Sequence, residues 1–242
     1  MKQVLFEITK NVHLTDNVML MELRGDTTGI KCGQFVNILV DGHYLRRPIS
    51  VCDCDKNNLT IIYKVVGKGT ETLAKMGNEN LDILTGLGNG YDTSLSGPAP
   101  LLIGGGVGVP PLYMLAKKLI KEKKIVKVIL GFNTKSEVFF KEEFEKLGAS
   151  VTVCTADGSE GVKGFVTDAM KEDYSYFYTC GPEPMLKAVY KKSITDGQFS
   201  FEERMGCGFG ACMGCSCKTI TGYKRICKDG PVLTKGEILW ED

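Results

Sequence analysis

The chain has 242 residues, 43% of them hydrophobic and 24% charged, and 30 basic against 29 acidic side chains leave a net charge of +1. At about 100–200 residues per domain, this is one to two domains with enough apolar material for a real core. A disordered or fibrous chain is excluded, and no basic stripe offers the electrostatic footprint of a nucleic-acid partner.

In chain order, the first segment reads as an antiparallel β domain. Short β-rich runs recur at Val4–Ile8, Val18–Leu23, Gln34–Val40, Ile49–Cys52 and Leu59–Val66, separated by turn residues such as Asp41-Gly42 and Asn57-Asn58. Several short strands at regular spacing predict a barrel or sandwich. A short helix is expected over Thr70–Met76. The pattern changes after Gly97-Pro98-Ala99-Pro100. Leu101–Ile103 reads as a buried strand, the glycines at 104, 105, 106 and 108 as a loop, and Pro110-Pro111 as the first turn of a helix. Strands at Val126–Leu130, Ser150–Cys154 and Tyr176–Thr179 then alternate with helices at about Ser136–Leu147, near Val166–Met170 and from Pro182. That alternation predicts an α/β doubly wound parallel sheet. The last forty residues are rich in glycine and cysteine and end in a polar, hairpin-like stretch. The expected division is therefore a β-barrel over 1–97, an α/β nucleotide-binding domain over 98–200 and a metal-binding tail over 201–242.

The most apolar stretch, Ala99–Ala116, is interrupted by four glycines and three prolines. It reads as strand, loop and helix rather than as a membrane span, which needs about 20 apolar residues. At the N-terminus the run Val4–Phe6 is closed at once by Glu7, unlike a secretory signal. No membrane partner and a cytoplasmic location are expected.

Ten cysteines are many for a reducing compartment, and five of them fall between Cys207 and Cys227. Clustered cysteines in such a setting point to metal rather than to disulfides. Cys207, Cys212 and Cys215 have the spacing C-x4-C-x2-C, and Cys227 follows after eleven residues. This is the ligand pattern of a plant-type 2Fe–2S cluster with a shortened final gap. A loop that wraps around sulfides needs close approach and unusual dihedrals, which Gly206, Gly208, Gly210 and Gly214 can supply. The competing reading is a four-cysteine zinc site, although zinc sites usually pair CxxC with CxxC and one close pair occurs here. Cys217 is expected to stay unligated.

Gly104, Gly105, Gly106 and Gly108 sit between a strand and a helix, where backbone N–H groups and the helix dipole can meet a pyrophosphate. A tight packing turn is the alternative. The loop is not GxGxxG, since Val109 stands where the third glycine belongs. Gly131-Phe132-Asn133 ends the next strand without an acidic residue, so the usual ribose-binding signature is missing, while Lys135 lies near that edge. Cys180-Gly181-Pro182 ends a later strand and can face the same crevice, with Cys180 either beside a nicotinamide or simply in the core.

Arg47-Pro48-Ile49-Ser50 supplies a guanidinium, a rigid turn and a hydroxyl at a strand start, suited to a phosphate or, taken alone, merely an exposed arginine. A barrel bearing RPIS, followed by GGGVGVPP and CGPEPM, resembles the ferredoxin reductase family of flavoproteins. The tail, with ERMGCGFGAC over Glu203–Cys212 and CKDGPV over Cys227–Val232, resembles the type B dihydroorotate dehydrogenase electron transfer subunits. That resemblance covers essentially the whole chain.

The resemblance implies that Arg47, Pro48, Ile49 and Ser50, then Ile62, Tyr63 and Lys64, then Gly69 and Thr70 hold FAD. It implies that Cys207, Cys212, Cys215 and Cys227 ligate the 2Fe–2S cluster, and that Gly104–Gly108 and Cys180–Pro182 meet NAD. The implied function is to pass electrons from the FMN of a catalytic partner subunit, oxidising dihydroorotate in pyrimidine biosynthesis, through the cluster and FAD to NAD+. The implied assembly is a heterotetramer of two subunits of each kind. No side chain is assigned as a catalytic acid or base, because the cofactors carry the chemistry. The alternative is the small subunit of an NAD(P)H–ferredoxin oxidoreductase or sulfide dehydrogenase.

Overall fold

The computed structural model describes residues 1–240. Six antiparallel strands form the first body: β1 (Lys2–His13), β2 (Val18–Arg24), β3 (Phe35–Ile38), β4 (Arg47–Asp55), β5 (Asn58–Lys64) and β6 (Asn80–Leu87). They close a barrel in the order β1-β2-β5-β4-β3-β6. Alternate residues turn inward, so Phe6, Ile8, Met21, Val36, Leu59 and Ile61 are all buried inside it. Each fully buried side chain of this size contributes about 1.5–3 kcal/mol. β6 lies outside the five β-rich runs of the sequence, yet without it the barrel would have two open edges. Its signal is the alternation of buried Leu81, Ile83, Thr85 and Leu87, diluted by Asp82 and Gly86. The short helix α1 (Lys68–Ala74) packs its Leu73 into the barrel interior.

The second body is a seven-stranded sheet. Its chain order is β7 (Pro100–Gly105), α2 (Pro110–Lys121), β8 (Lys127–Phe132), α3 (Lys141–Lys146), β9 (Ser150–Thr155), β10 (Val162–Lys163), β11 (Tyr176–Cys180), α4 (Glu183–Lys192) and β12 (Gly197–Ser200). The spatial order is β10-β9-β8-β7-β11-β12, all parallel. The two faces are covered separately: α2 and Phe144 of α3 join one core, while Leu186 and Val189 of α4 join the other. The sheet is thus doubly wound, as its strand–helix alternation predicts.

One expected helix is broken. Instead of a continuous helix over 136–147 there is a tight helical turn, Lys135–Glu137, and then α3, separated by Phe139 and Phe140. Both aromatics are anchored, Phe139 edge-on to Phe132 at 5.3 Å and Phe140 edge-on to Tyr113 at 5.1 Å. Both rings pack on the core that α2 joins, each against its own aromatic partner. The left-handed Phe140 (φ 66°) marks the break between the turn and α3.

The tail forms a hairpin, β13 (Ser216–Thr219) with β14 (Gly222–Arg225), and then returns to the main sheet as β15 (Val232–Thr234), antiparallel to β12. Asn89 clamps that return: its Oδ1 accepts from the Val232 N–H at 3.1 Å and its Nδ2 donates to the Val232 carbonyl at 2.7 Å. Barrel and sheet meet where α2 packs on β4, with Lys117 and Asp53 paired at 2.5 Å. Among the described residues no helix is long and apolar enough to cross a membrane.

Candidate functional site

The site begins where β7 stops. A Cβ on Gly105 would come within 2.5 Å of Met185 Sδ, and one on Gly108 within 2.3 Å of the Cys180 carbonyl oxygen. Only glycine lets the loop after β7 cross the end of β11 main chain against main chain. The crossing brings Gly105–Gly108 and Gly181-Pro182 to the border of one cavity of about 560 Å³, closed on its other side by Asn17, Val18 and Lys64 of the barrel. Both loops therefore do face one crevice, at the carboxyl ends of parallel strands, where N–H groups and the start of α2 favour a pyrophosphate. Cys180 does not join them: it is 1% exposed and lies in the core beneath the turn. Burial, and then the nearby Glu202 carboxylate, push its thiol up.

Glu202 has no place among the sequence-derived residues. It stands on the cavity wall just past β12, reached by solvent but flanked by protein on the concave side. Desolvation there raises its carboxyl above the ordinary 4.5. A carboxyl raised on folding adds stability that is complete below its unfolded value and lost as pH climbs through its folded value. Glu202→Gln is therefore expected to raise the melting temperature over the parent at pH 8 and to change it much less at pH 4. Thermal unfolding of both proteins at the two pH values measures this, and equal increments would refute it.

A cationic corner lies at the mouth of the barrel. Arg46, next to the RPIS segment, is pinned to Asp82 at 2.9 Å and to the Asn37 carbonyl at 3.3 Å, which stiffens the entry into β4. Arg47 folds over the first turn of α1 and donates to the Leu45 carbonyl. A Cβ on Gly69 would meet its guanidinium at 2.0 Å, so glycine is what admits the arginine. Thr70 orders the same turn, its Oγ1 accepting from the Val66 N–H at 3.0 Å and donating to the Gly67 carbonyl at 3.0 Å. A guanidinium beside helix-start N–H groups is chemistry that suits a phosphate.

On β5 the alternation separates the three residues paired with this corner. Ile62 faces the nucleotide-sheet side, whereas Tyr63 points into the barrel and donates to Asn11 Oδ1 at 3.2 Å. Lys64 is exposed on the cavity. A flavin could thus meet Tyr63 only through its main chain.

The four cysteines are brought together in two pairs. Cys207 Sγ accepts from the Ala211 N–H at 3.2 Å and the Cys212 N–H at 3.4 Å, and Cys215 Sγ accepts from the Cys227 N–H at 3.4 Å. The Cys212 side chain helps to favour the Cys207 thiolate, whereas burial and then the neighbouring Cys215 push the Cys227 thiol up. Burial opposes ionisation of Cys207, yet the N–H groups of Cys212, Phe209 and Ala211 outweigh it and bring the thiol down to about 6.

Among the described residues no three His, Cys, Asp or Glu side chains gather round a single ion's position. Two thiol pairs under converging N–H donors fit a two-iron cluster, with two thiolates for each iron. Such donors also favour the anionic sulfur that iron requires.

The loop is held from outside itself. Asn37 on β3 donates to the Cys207 carbonyl at 3.2 Å, and Arg225 donates to the Gly210 carbonyl at 3.0 Å while gripping Asp229. Gly208 sits at φ 78°, and a Cβ there would strike Asn37 Nδ2 at 2.4 Å. Asn37 Oδ1 is buried without a partner, an open acceptor at the seam between barrel and cysteine loop. Cys217 lines a second recess of about 270 Å³ with Phe201 and Trp240, which shares Gly181, Pro182 and Glu202 with the nucleotide cavity.

Comparisons with known proteins agree with this geometry. Residues 202–239 match the family model described as the iron-sulfur cluster binding domain of dihydroorotate dehydrogenase B, and residues 102–191 match the oxidoreductase NAD-binding domain. The dihydroorotate dehydrogenase B (NAD(+)) electron transfer subunit of Bacillus pumilus is 43% identical, with 98% of each chain covered. The subunit of the same name from Fusobacterium nucleatum is 45% identical over 96% of each chain. Among solved structures, a chain of an NADH-dependent reduced ferredoxin-NADP oxidoreductase superposes with a TM-score of 0.87 at 29% identity, covering 97% of this chain and 90% of its own.

Proposed function

The chain belongs to the electron transfer subunits of dihydroorotate dehydrogenase B (NAD(+)), and we propose that it carries electrons between the FMN of a catalytic partner subunit and NAD+. The observation that supports this most directly is spatial. The paired cysteines are tied to the barrel through Asn37, and the same barrel forms one wall of the nucleotide cavity. Cluster, flavin and nicotinamide sites would then lie in sequence within one rigid unit. When bound, FAD supplies the exchange between two-electron hydride chemistry and the single electrons that a 2Fe–2S cluster carries.

The residues have distinct tasks in this reading. Arg47 and the start of α1 bind the FAD phosphates, with Pro48–Ser50, Ile62 and Lys64 around the rest of the flavin. Gly104–Gly108 present N–H groups to the NAD pyrophosphate, and Gly181-Pro182 border its nicotinamide half. Cys207, Cys212, Cys215 and Cys227 ligate the cluster, and burial of the last two shields that side from water. The chain divides functionally at about residues 97 and 200, with the tail returning to the sheet through Val232–Thr234. The assembled enzyme is a heterotetramer of two subunits of each kind, located in the cytoplasm, and it serves pyrimidine biosynthesis.

The alternative, a subunit of a ferredoxin-NADP oxidoreductase, is favoured by the TM-score of 0.87 to such an enzyme. The higher identity to the dihydroorotate dehydrogenase relatives and the four paired cysteines outweigh it. The isolated chain, loaded with iron and flavin, is expected to oxidise NADH with ferricyanide as acceptor and not to turn over dihydroorotate. Adding an FMN-containing catalytic subunit should start dihydroorotate-dependent NAD+ reduction. Dihydroorotate turnover by the pure isolated chain would sink the proposal.

A further inference from the structure

The end of β8 carries no acidic residue in sequence, and the usual ribose-reading carboxylate is expected to be missing. The fold supplies one by another route. Because the predicted helix is broken at Phe139-Phe140, the tight turn Lys135–Glu137 folds back on the strand end. Glu137 Oε2 accepts from the Asn133 backbone N–H at 3.0 Å and from Asn133 Nδ2 at 2.9 Å. Its other oxygen, Oε1, takes part in neither bond. The carboxylate is half-buried and lines the nucleotide cavity beside Phe132 and Asn133. That places it one strand away from the glycine loop, where a dinucleotide whose pyrophosphate lies on that loop would set its adenosine ribose.

We infer that Glu137 reads the ribose 2′-hydroxyl of NAD and excludes a 2′-phosphate. This rests on the proposed function, since it assumes that a nicotinamide dinucleotide occupies the cavity. A carboxylate oxygen already oriented by two donors accepts a hydrogen bond from the 2′-hydroxyl, whereas a 2′-phosphate would bring like charge against it. The cations nearby do not offset that charge. Lys135 Nζ is 3.6 Å from Glu160 and Lys141 Nζ 3.5 Å from the same carboxylate, both drawn to a group outside the cavity lining. The charged residues that do line the cavity are Lys64, Glu137 and Glu202, and Lys64 stands on the barrel wall opposite. Phe165, 71% exposed, also lines the cavity and would offer an aromatic face to the adenine.

The test compares NADH with NADPH as reductants of ferricyanide in the flavin-loaded chain, for the parent, Glu137→Gln and Glu137→Ala. Flavin content and melting temperature confirm that the variants fold. The parent should favour NADH by about 100-fold or more in kcat/KM. Removal of the charge should raise kcat/KM for NADPH by about tenfold and lower that for NADH by a few-fold, both through KM with kcat unchanged. Dissociation constants for NADP+ and NAD+, read from perturbation of the flavin spectrum, should move in the same directions. A parent that uses NADPH as well as NADH, or an NADH/NADPH ratio unchanged within about twofold in both variants, would overturn the assignment to Glu137 alone. Failure of both nucleotides to reduce the flavin would overturn the proposed function and this inference with it.

Discussion

Replacing Cys227 by serine is expected to remove the iron-sulfur centre and to lower dihydroorotate-dependent NAD+ reduction by the assembled enzyme by at least about 100-fold. Cys227 is 1% exposed, and its N–H donates to Cys215 Sγ at 3.4 Å. Serine keeps the size and the N–H but replaces a soft thiolate by a hard, weakly acidic hydroxyl, a poor ligand for iron. NADH oxidation with ferricyanide should persist within about twofold, because that reaction needs only the flavin and nucleotide sites. Cys217→Ser is the matched control. It removes a thiol from the recess beside Trp240 rather than from either pair, and it should leave the iron content unchanged. Iron and sulfide analysis with the visible spectrum decides between these outcomes. Two irons retained in Cys227→Ser, or iron lost in Cys217→Ser, would show that the ligand set is wrong.

Gly108→Ala should be the most damaging single-methyl change in the nucleotide loop. The added Cβ would lie 2.3 Å from the Cys180 carbonyl oxygen and 2.6 Å from Gly181 Cα, both main-chain atoms of a strand end fixed in the sheet. Overpacking against a backbone that cannot yield costs about 2–3 kcal/mol, and any shift that relieves it moves Gly181-Pro182 out of register with the glycine loop. Stability to denaturant should fall by that amount, and KM for NADH should rise by about tenfold or more. Gly106→Ala provides the contrast. Nothing lies within 4 Å of its Cβ, and only its φ of +53° is against it, a cost of about 1–2 kcal/mol. Equal damage from the two substitutions would show that loop conformation, not the crossing at β11, governs the site.

Much of the architecture was legible because it is written in local pattern. Alternating apolar residues mark the barrel strands, and the strand–helix alternation after Pro100 marks the parallel sheet. β6 carried the same alternation, in Leu81, Ile83, Thr85 and Leu87, but Asp82 and Gly86 masked it. Those two residues serve the barrel rather than the strand: Asp82 holds Arg46, and Gly86 turns at φ 67°. The helix expected over 136–147 failed for a different reason. Helical periodicity treats each apolar residue alike, while Phe139 and Phe140 are claimed by separate aromatic partners in three dimensions.

The same distinction runs through the site. By itself, the sequence marked out the candidate cysteine set, the glycine loops and the RPIS segment, because metal spacing, tight turns and phosphate loops are short-range constraints that a few adjacent residues must satisfy. Tertiary structure alone decided how these pieces are joined. It paired Cys207 with Cys212 and Cys215 with Cys227, tied the loop to Asn37 across 170 positions, seated Arg47 on Gly69, and brought Glu202 and Glu137 to the cavity. Such contacts join residues far apart in the chain, or follow from a backbone break that packing imposes. Their energy depends on the whole closed barrel and sheet, and no local periodicity records it.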